Sequence, residues 1–111
     1  MAAGYSNLYL EQGTSFSTTI TLDDIYQNAY NLAGFTASSQ MRSSYYSANA
    51  TAVFSTGINA NTGVVTLSLS ANTTANIAPG RYVYDAIIND GNGTITRILE
   101  GVVEVSPSVT R

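Results

Sequence analysis

The chain has no cysteine, histidine, lysine or tryptophan, and only two prolines among 111 residues. Without cysteine there is no disulfide framework and no thiolate metal site, and the redox compartment stays open. Without histidine or lysine, two of the usual general acids and bases near neutral pH are missing. Neither a Ser-His nor a Cys-His nucleophile can be assembled. Carboxylate pairs of the kind that cleave glycosides remain, as Asp85 with Glu100 or Asp23 with Asp24. A glycosidase also needs a deep pocket, which so thin a domain rarely builds. The expectation is therefore a protein that is not an enzyme.

Charge is scarce too. Charged residues make up 10% of the chain, against about 25% in an ordinary domain. The net charge is -3, and the four arginines, Arg42, Arg81, Arg97 and Arg111, are scattered. Nucleic acid is not an expected partner, because that affinity comes from clustered basic residues. The apolar runs are too short to span a bilayer, and no basic, apolar leader is legible at the start. No membrane contact is expected. Three Asn-x-Thr sequons, at Asn49, Asn72 and Asn92, read as chance in an Asn- and Thr-rich chain.

No cofactor or metal is expected either. No Gly-rich phosphate loop follows a strand and opens a helix. Asp90-Gly91-Asn92-Gly93 has a faint calcium-loop look, but the further oxygen ligands and the distant bidentate Glu are absent. It reads as a hairpin turn.

Period-two alternation is plentiful. In "SFSTTITL", Phe16, Thr18, Ile20 and Leu22 share a face. In "VVTLSLS", Val65, Leu67 and Leu69 oppose Thr66, Ser68 and Ser70. Ser and Thr between large apolar residues mark half-buried strands. Further strands are expected over residues 6–12 and 35–42, the second with Phe35, Ala37, Ser39 and Met41 aligned, and a short one over 51–56. Asn61-Thr62-Gly63 and Pro79-Gly80 are turn signals. Ser70 or Thr73 caps at most one helical turn ending near Ile77. Residues 23–34 read either as a helix stopped by Gly34 or as an irregular corner, with the corner favoured.

Residues 78–105 read as two strands joined by a tight turn, the last hairpin. Tyr82, Tyr84, Ala86 and Ile88 share one face, and Val83, Asp85 and Ile87 the other. On the return strand, strict alternation puts Ile95, Arg97, Leu99, Val103 and Val105 on one side, and Ile98, Glu100, Val102 and Glu104 on the other. Both faces are partly apolar, which places this hairpin mid-sheet. Gly101 allows a bulge or a close neighbour.

Six to eight short strands and no long helix predict an all-β fold, a two-layer antiparallel, Ig-like β-sandwich. One domain over residues 1–111 is expected, with a short N-terminal arm (1–7) and a C-terminal tail (106–111). Asp85, Arg42 and Arg97 are candidates for one partly buried ion pair.

Eight residues are Tyr, mostly in pairs, and adjacent Tyr45 and Tyr46 cannot both face inward on a strand. Exposed Tyr among Ser and Asn suits protein interfaces and sugar platforms, and core or rim packing is the plain alternative. The low-charge surface likewise reads two ways, as a tolerated hydroxyl-rich surface or as one that ends against other proteins. Candidate interface residues are Tyr5, Tyr9, Tyr45, Tyr46, Val109 and Arg111.

Three segments, "LYLEQGTSFSTTITL", "NLAGFTASSQMR" and "GVVTLSLSANTTANIAPGRYVYDAIINDGNGTITRILEGVVEVSPSVTR", together resemble a family of small virion structural proteins of tailed bacteriophages. The family pattern includes the Gln-Gly turn, a Pro-Gly-x-Tyr-x-Tyr-Asp strand and a terminal Glu-Gly-x-Val-x-Val-x-x-x-Val-Thr-Arg segment. The resemblance runs from Leu8 to Arg111 and departs over residues 23–31, where two Tyr replace the usual Gly- and Asp-rich turn. It implies a non-enzymatic β-sandwich of a myovirus-type particle, at the tail, baseplate or fibre region. Its partners would be other phage structural proteins, in many symmetric copies, with residence in the bacterial cytoplasm during assembly. A head (capsid) decoration or cement protein is the runner-up, and a module binding host-surface glycans the competing class.

Overall fold

A computed structural model describes residues 4–22 and 32–109. It holds nine strands and one short helix in two sheets. The first sheet is built from β1 (Gly4–Tyr5), β2 (Leu8–Glu11), β4 (Thr36–Arg42), β5 (Ala52–Val53), β8 (Gly80–Asn89) and β9 (Ile95–Ser106). Its order is β1-β9-β8-β4-β5, with β2 following β1 along β9. The second sheet is β3 (Phe16–Thr21), β7 (Val64–Leu69) and β6 (Ser55–Asn59), in the order β3-β7-β6. The all-β sandwich expected from alternation is what forms.

The strands come from the sequence pattern in a direct way. β7 buries Val65, Leu67 and Leu69 while Thr66 and Ser68 sit half-exposed behind them. β8 buries Tyr84, Ala86 and Ile88 from the opposite sheet. Phe54 lies between the layers, its ring centroid 6.2 Å from Phe16 on one side and 6.2 Å, edge-on, from Tyr84 on the other. Each such aromatic pair adds about 0.5–1.5 kcal/mol beyond its buried area.

Three features depart from the expectation. Two expected strands are each broken, which raises the count to nine. The strand expected over 51–56 pairs with β4 at Ala52 and Val53, then crosses at Phe54 to join β7 as β6. The strand expected over 6–12 is interrupted at Ser6 and Asn7. The sandwich is also not wholly antiparallel: β1 and β2 run parallel to β9. A parallel pair needs a long crossover, and here nearly the whole fold lies between the partners, Leu8 opposite Val103. Of the arm expected over residues 1–7, Gly4 and Tyr5 are therefore sheet.

The third departure is a bulge. Ala86 opposes Leu99, yet the next residue, Ile87, opposes Arg97, so Ile98 is the extra residue of β9. An inserted residue reverses the parity of everything beyond it. Arg97 therefore shares a face with Glu100 and Glu104, not with Val103 and Val105 as strict alternation placed it.

Gly101 is the close-approach glycine. A side chain there would overlap the Ser6 carbonyl. Ser6 N–H donates to Glu100 O (2.9 Å), and the Tyr84 hydroxyl donates to Ser6 O (2.6 Å). The break between β1 and β2 is thus a crossing over Gly101.

The helix α1 (Ala71–Ala75) is capped by the Ser70 hydroxyl, which accepts from Thr73 N–H. Buried Thr74 donates its hydroxyl to Thr14 O (2.7 Å) and accepts from Gly13 N–H (3.1 Å). Gln12 donates to Ile77 O (3.0 Å) and accepts from Ser108 N–H (3.2 Å). The Gln12-Gly13 turn, with Gly13 at φ 82°, thereby ties the α1 connector to the C-terminal tail. The choice between helix and corner falls mainly on residues 23–31, which lie outside the described residues.

Candidate functional site

The outer face of the first sheet carries every charged side chain among the described residues except Asp90. Its rows follow from register. Tyr9 lies beside Glu104, which opposes Arg81. Val102 opposes Val83, which opposes Arg42. Tyr5 lies beside Glu100, then Asp85, Gln40 and Val53.

Ion pairs join these rows. Arg81 Nη2 stands 2.8 Å from Glu104 Oε1. Arg97 reaches Asp85 Oδ2 through Nε (3.4 Å) and Glu100 Oε2 through Nη1 (3.2 Å). The expected pair of Asp85 with Arg97 forms, but it is not buried: the two side chains are 41% and 55% exposed. A pair in that setting contributes about 0–1 kcal/mol. Arg42 takes no part. It donates to Ser47 O (3.0 Å) and Gln40 Oε1 (2.8 Å), and no carboxylate lies within ion-pair reach of it among the described residues.

Arg42 instead orders the loop that follows β4. Ser47 Oγ meets Ser43 Oγ (2.6 Å) and accepts from Ser44 N–H (3.2 Å). That loop lifts Tyr45 and Tyr46 into solvent. Tyr45 forms one wall of a groove of about 260 Å³, lined also by Gln40, Arg42, Asp85, Arg97 and Glu100 over Val83. Asp85 and Glu100, the carboxylate pair considered for glycoside cleavage, are cross-strand neighbours, and both bind the one guanidinium of Arg97 on an open face.

Tyr5 and Tyr9 are both about two-thirds exposed, and Tyr46 and Val109 almost wholly so. Tyr5 and Tyr9 share one face and one edge. Tyr45 belongs to the groove at the other side of the same face, and Val109 is on the tail beyond β9. Arg111 lies outside the described residues, as do Asp23 and Asp24.

The Asp90 turn is closed on itself. The Asp90 carboxylate accepts from Asn92 N–H (2.7 Å) and Thr94 N–H (3.2 Å), and Asn89 Oδ1 accepts from Gly91 N–H (2.9 Å). The Asn92 N–H, and after it Thr94, hold the Asp90 carboxyl below its ordinary value. Gly91 and Gly93 supply the positive φ that a hairpin turn needs.

Among the described residues, Tyr84 is the one buried titratable group with a large shift. Burial pushes its phenol up to about 12, against a lowering effect of the Ser6 side chain and with a further push from Tyr5. The alternation put Tyr84 on one face with Ala86 and Ile88 but gave no sign of Ser6 as its partner, because their positions converge only when β1 docks on β9. It also missed Thr74, whose only signal was its place after a capping Ser.

No protein-family model and no curated protein matches the chain. Among solved structures, an internalin-like protein of Listeria monocytogenes superposes with a TM-score of 0.50 at 19% identity. The match covers 94% of this chain but only 28% of that protein's length. At that identity the likeness shows the fold alone.

Proposed function

We propose that this chain is a non-enzymatic structural protein of a tailed bacteriophage particle, seated in the tail or baseplate and acting through protein–protein contact. The observation that carries this reading is the outer face of the first sheet. It sets half-buried Val83 and Val102 at its centre, exposed Tyr5 and Tyr9 along one edge, and arginine–carboxylate pairs around them. Docking surfaces are built this way, with an apolar middle, Tyr and Arg anchors, and a polar rim. The resemblance from Leu8 to Arg111 supports the particle, other phage proteins as neighbours, and assembly in the bacterial cytoplasm. A head decoration protein would use the same face.

A second reading draws support from the groove beside Tyr45. An exposed ring lining one groove with guanidinium, amide and carboxylate groups suits a sugar platform. One experiment separates the two. Particles assembled with a Tyr5→Ser, Tyr9→Ser chain should carry about tenfold fewer copies, the effect of losing roughly 1.4 kcal/mol at a contact, with unchanged melting of the free protein. Undiminished loading contradicts the assembly reading. Saturable saccharide binding that Tyr45→Ser abolishes would favour the glycan module.

A further inference from the structure

Among the described residues, the second sheet is left with an open edge at β3. β3 ends the order β3-β7-β6, and among the described residues no strand pairs with its far side. Natural edges are usually blunted by charge, proline or a bulge. β3 reads Phe-Ser-Thr-Thr-Ile-Thr, with no charge and no proline, and its register on β7 is unbroken from Phe16 to Thr21.

The ladder fixes which backbone groups face outward. Leu22 N–H donates to Gly63 O (2.8 Å), continuing the pairing of Thr21 with Val64. Antiparallel positions alternate between bonded and unbonded. Ile20, Thr18 and Phe16 are then bonded to β7, while Ser17, Thr19 and Thr21 aim their N–H and C=O groups away from it. The inner side chains agree with an edge left uncovered. Phe16, Thr18 and Ile20 are only half-buried, whereas Val65, Leu67 and Leu69 beside them on β7 are fully buried. A cleft of about 420 Å³ opens beside Phe16, lined in part by Leu10 and Val105.

We infer that β3 is a pairing edge for a second copy of this chain, aligned antiparallel about Thr19. This deepens the assembly reading and rests on it, naming one neighbour as the same protein. Self-pairing about Thr19 matches on every count. Thr19 faces Thr19 and Ser17 faces Thr21, so the outward backbone groups meet and hydroxyls stand opposite hydroxyls. On the inner side Thr18 faces Ile20, and Phe16 faces Leu22. β3 brings no charge to the contact, although the chain as a whole carries -3. The contact is isologous and closes as a two-fold pair.

The test is sedimentation equilibrium of the full chain over a wide concentration range. The wild type should shift from monomer to dimer as concentration rises. Thr19→Lys places like charges face to face on the two-fold axis and should weaken the dimer about tenfold or more. Thr19→Pro removes only an outward N–H, so it should keep the fold and lose the dimer. Thr19→Val keeps the backbone and should dimerise as the wild type does. A wild type that stays monomeric throughout, or a Thr19→Lys chain that dimerises undiminished, overturns the inference. A monomer that still loads onto particles does so while leaving the assembly role standing.

Discussion

The Tyr84 hydroxyl donates a 2.6 Å hydrogen bond to the carbonyl of Ser6, 78 residues away in the chain. Gly101 lies directly beneath that carbonyl, and its lack of a side chain is what lets Ser6 pass. Tyr84→Phe should cost about 1–3 kcal/mol, because it leaves a part-buried acceptor unsatisfied. Gly101→Ala should cost more, by forcing β1 off β9. Denaturant unfolding of both variants checks the order, and Gly101→Ala at wild-type stability would contradict it.

The same phenol sets an alkaline limit. Its value is about 12 in the folded chain and about 10 in an unfolded one. The folded state therefore holds a proton that the unfolded state releases between these values, and stability falls as pH rises through that window. A loss on the order of 2–3 kcal/mol is expected between about pH 10 and pH 12. In Tyr84→Phe this component of the loss should vanish, as read by unfolding at a series of pH values.

The pairing of Arg97 with Asp85 should matter little for stability. Asp85→Asn is expected to cost under about 1 kcal/mol, since both groups are half-exposed and Arg97 keeps Glu100. A cost of about 3–5 kcal/mol would mark a buried pair instead. A chemical-denaturation midpoint distinguishes the two.

Thr74 should matter more than its size implies. Its buried hydroxyl serves Thr14 O and Gly13 N–H at once. Thr74→Val keeps the shape and strands both partners, with an expected cost of about 1–3 kcal/mol. Proteolysis should then cut first near the Gln12-Gly13 turn or the tail at Ser108, the segments this knot ties together.

Much of this fold was legible in the residues. Phe16, Ile20 and Leu22, and likewise Val65, Leu67 and Leu69, fall on one face by period two, and each set does point inward. Asn61-Thr62-Gly63 and the Asp90 run turn the chain where turn chemistry says they should. What alternation cannot register is a change of parity or of partner. The extra residue at Ile98 moved Arg97 to the face of Glu100. Phe54 ended one strand and began another in the opposite sheet, although the apolar pattern ran on unchanged. The crossing at Ser6 depends on Gly101 and Tyr84, which no local pattern links to it. Of the candidate site, the exposed tyrosines were visible as polar-flanked aromatics. That Tyr5 and Tyr9 stand on the same face as Arg81 and Asp85 needed the parallel register of β1 and β2 on β9.

The central claim is that this chain works by seating itself among other proteins of a particle. Electron microscopy of purified particles with an antibody against the chain tests it most directly. Label at the tail or baseplate, in several copies per particle, is the predicted result. Particles that carry none of the chain, from cells that make both, would contradict it.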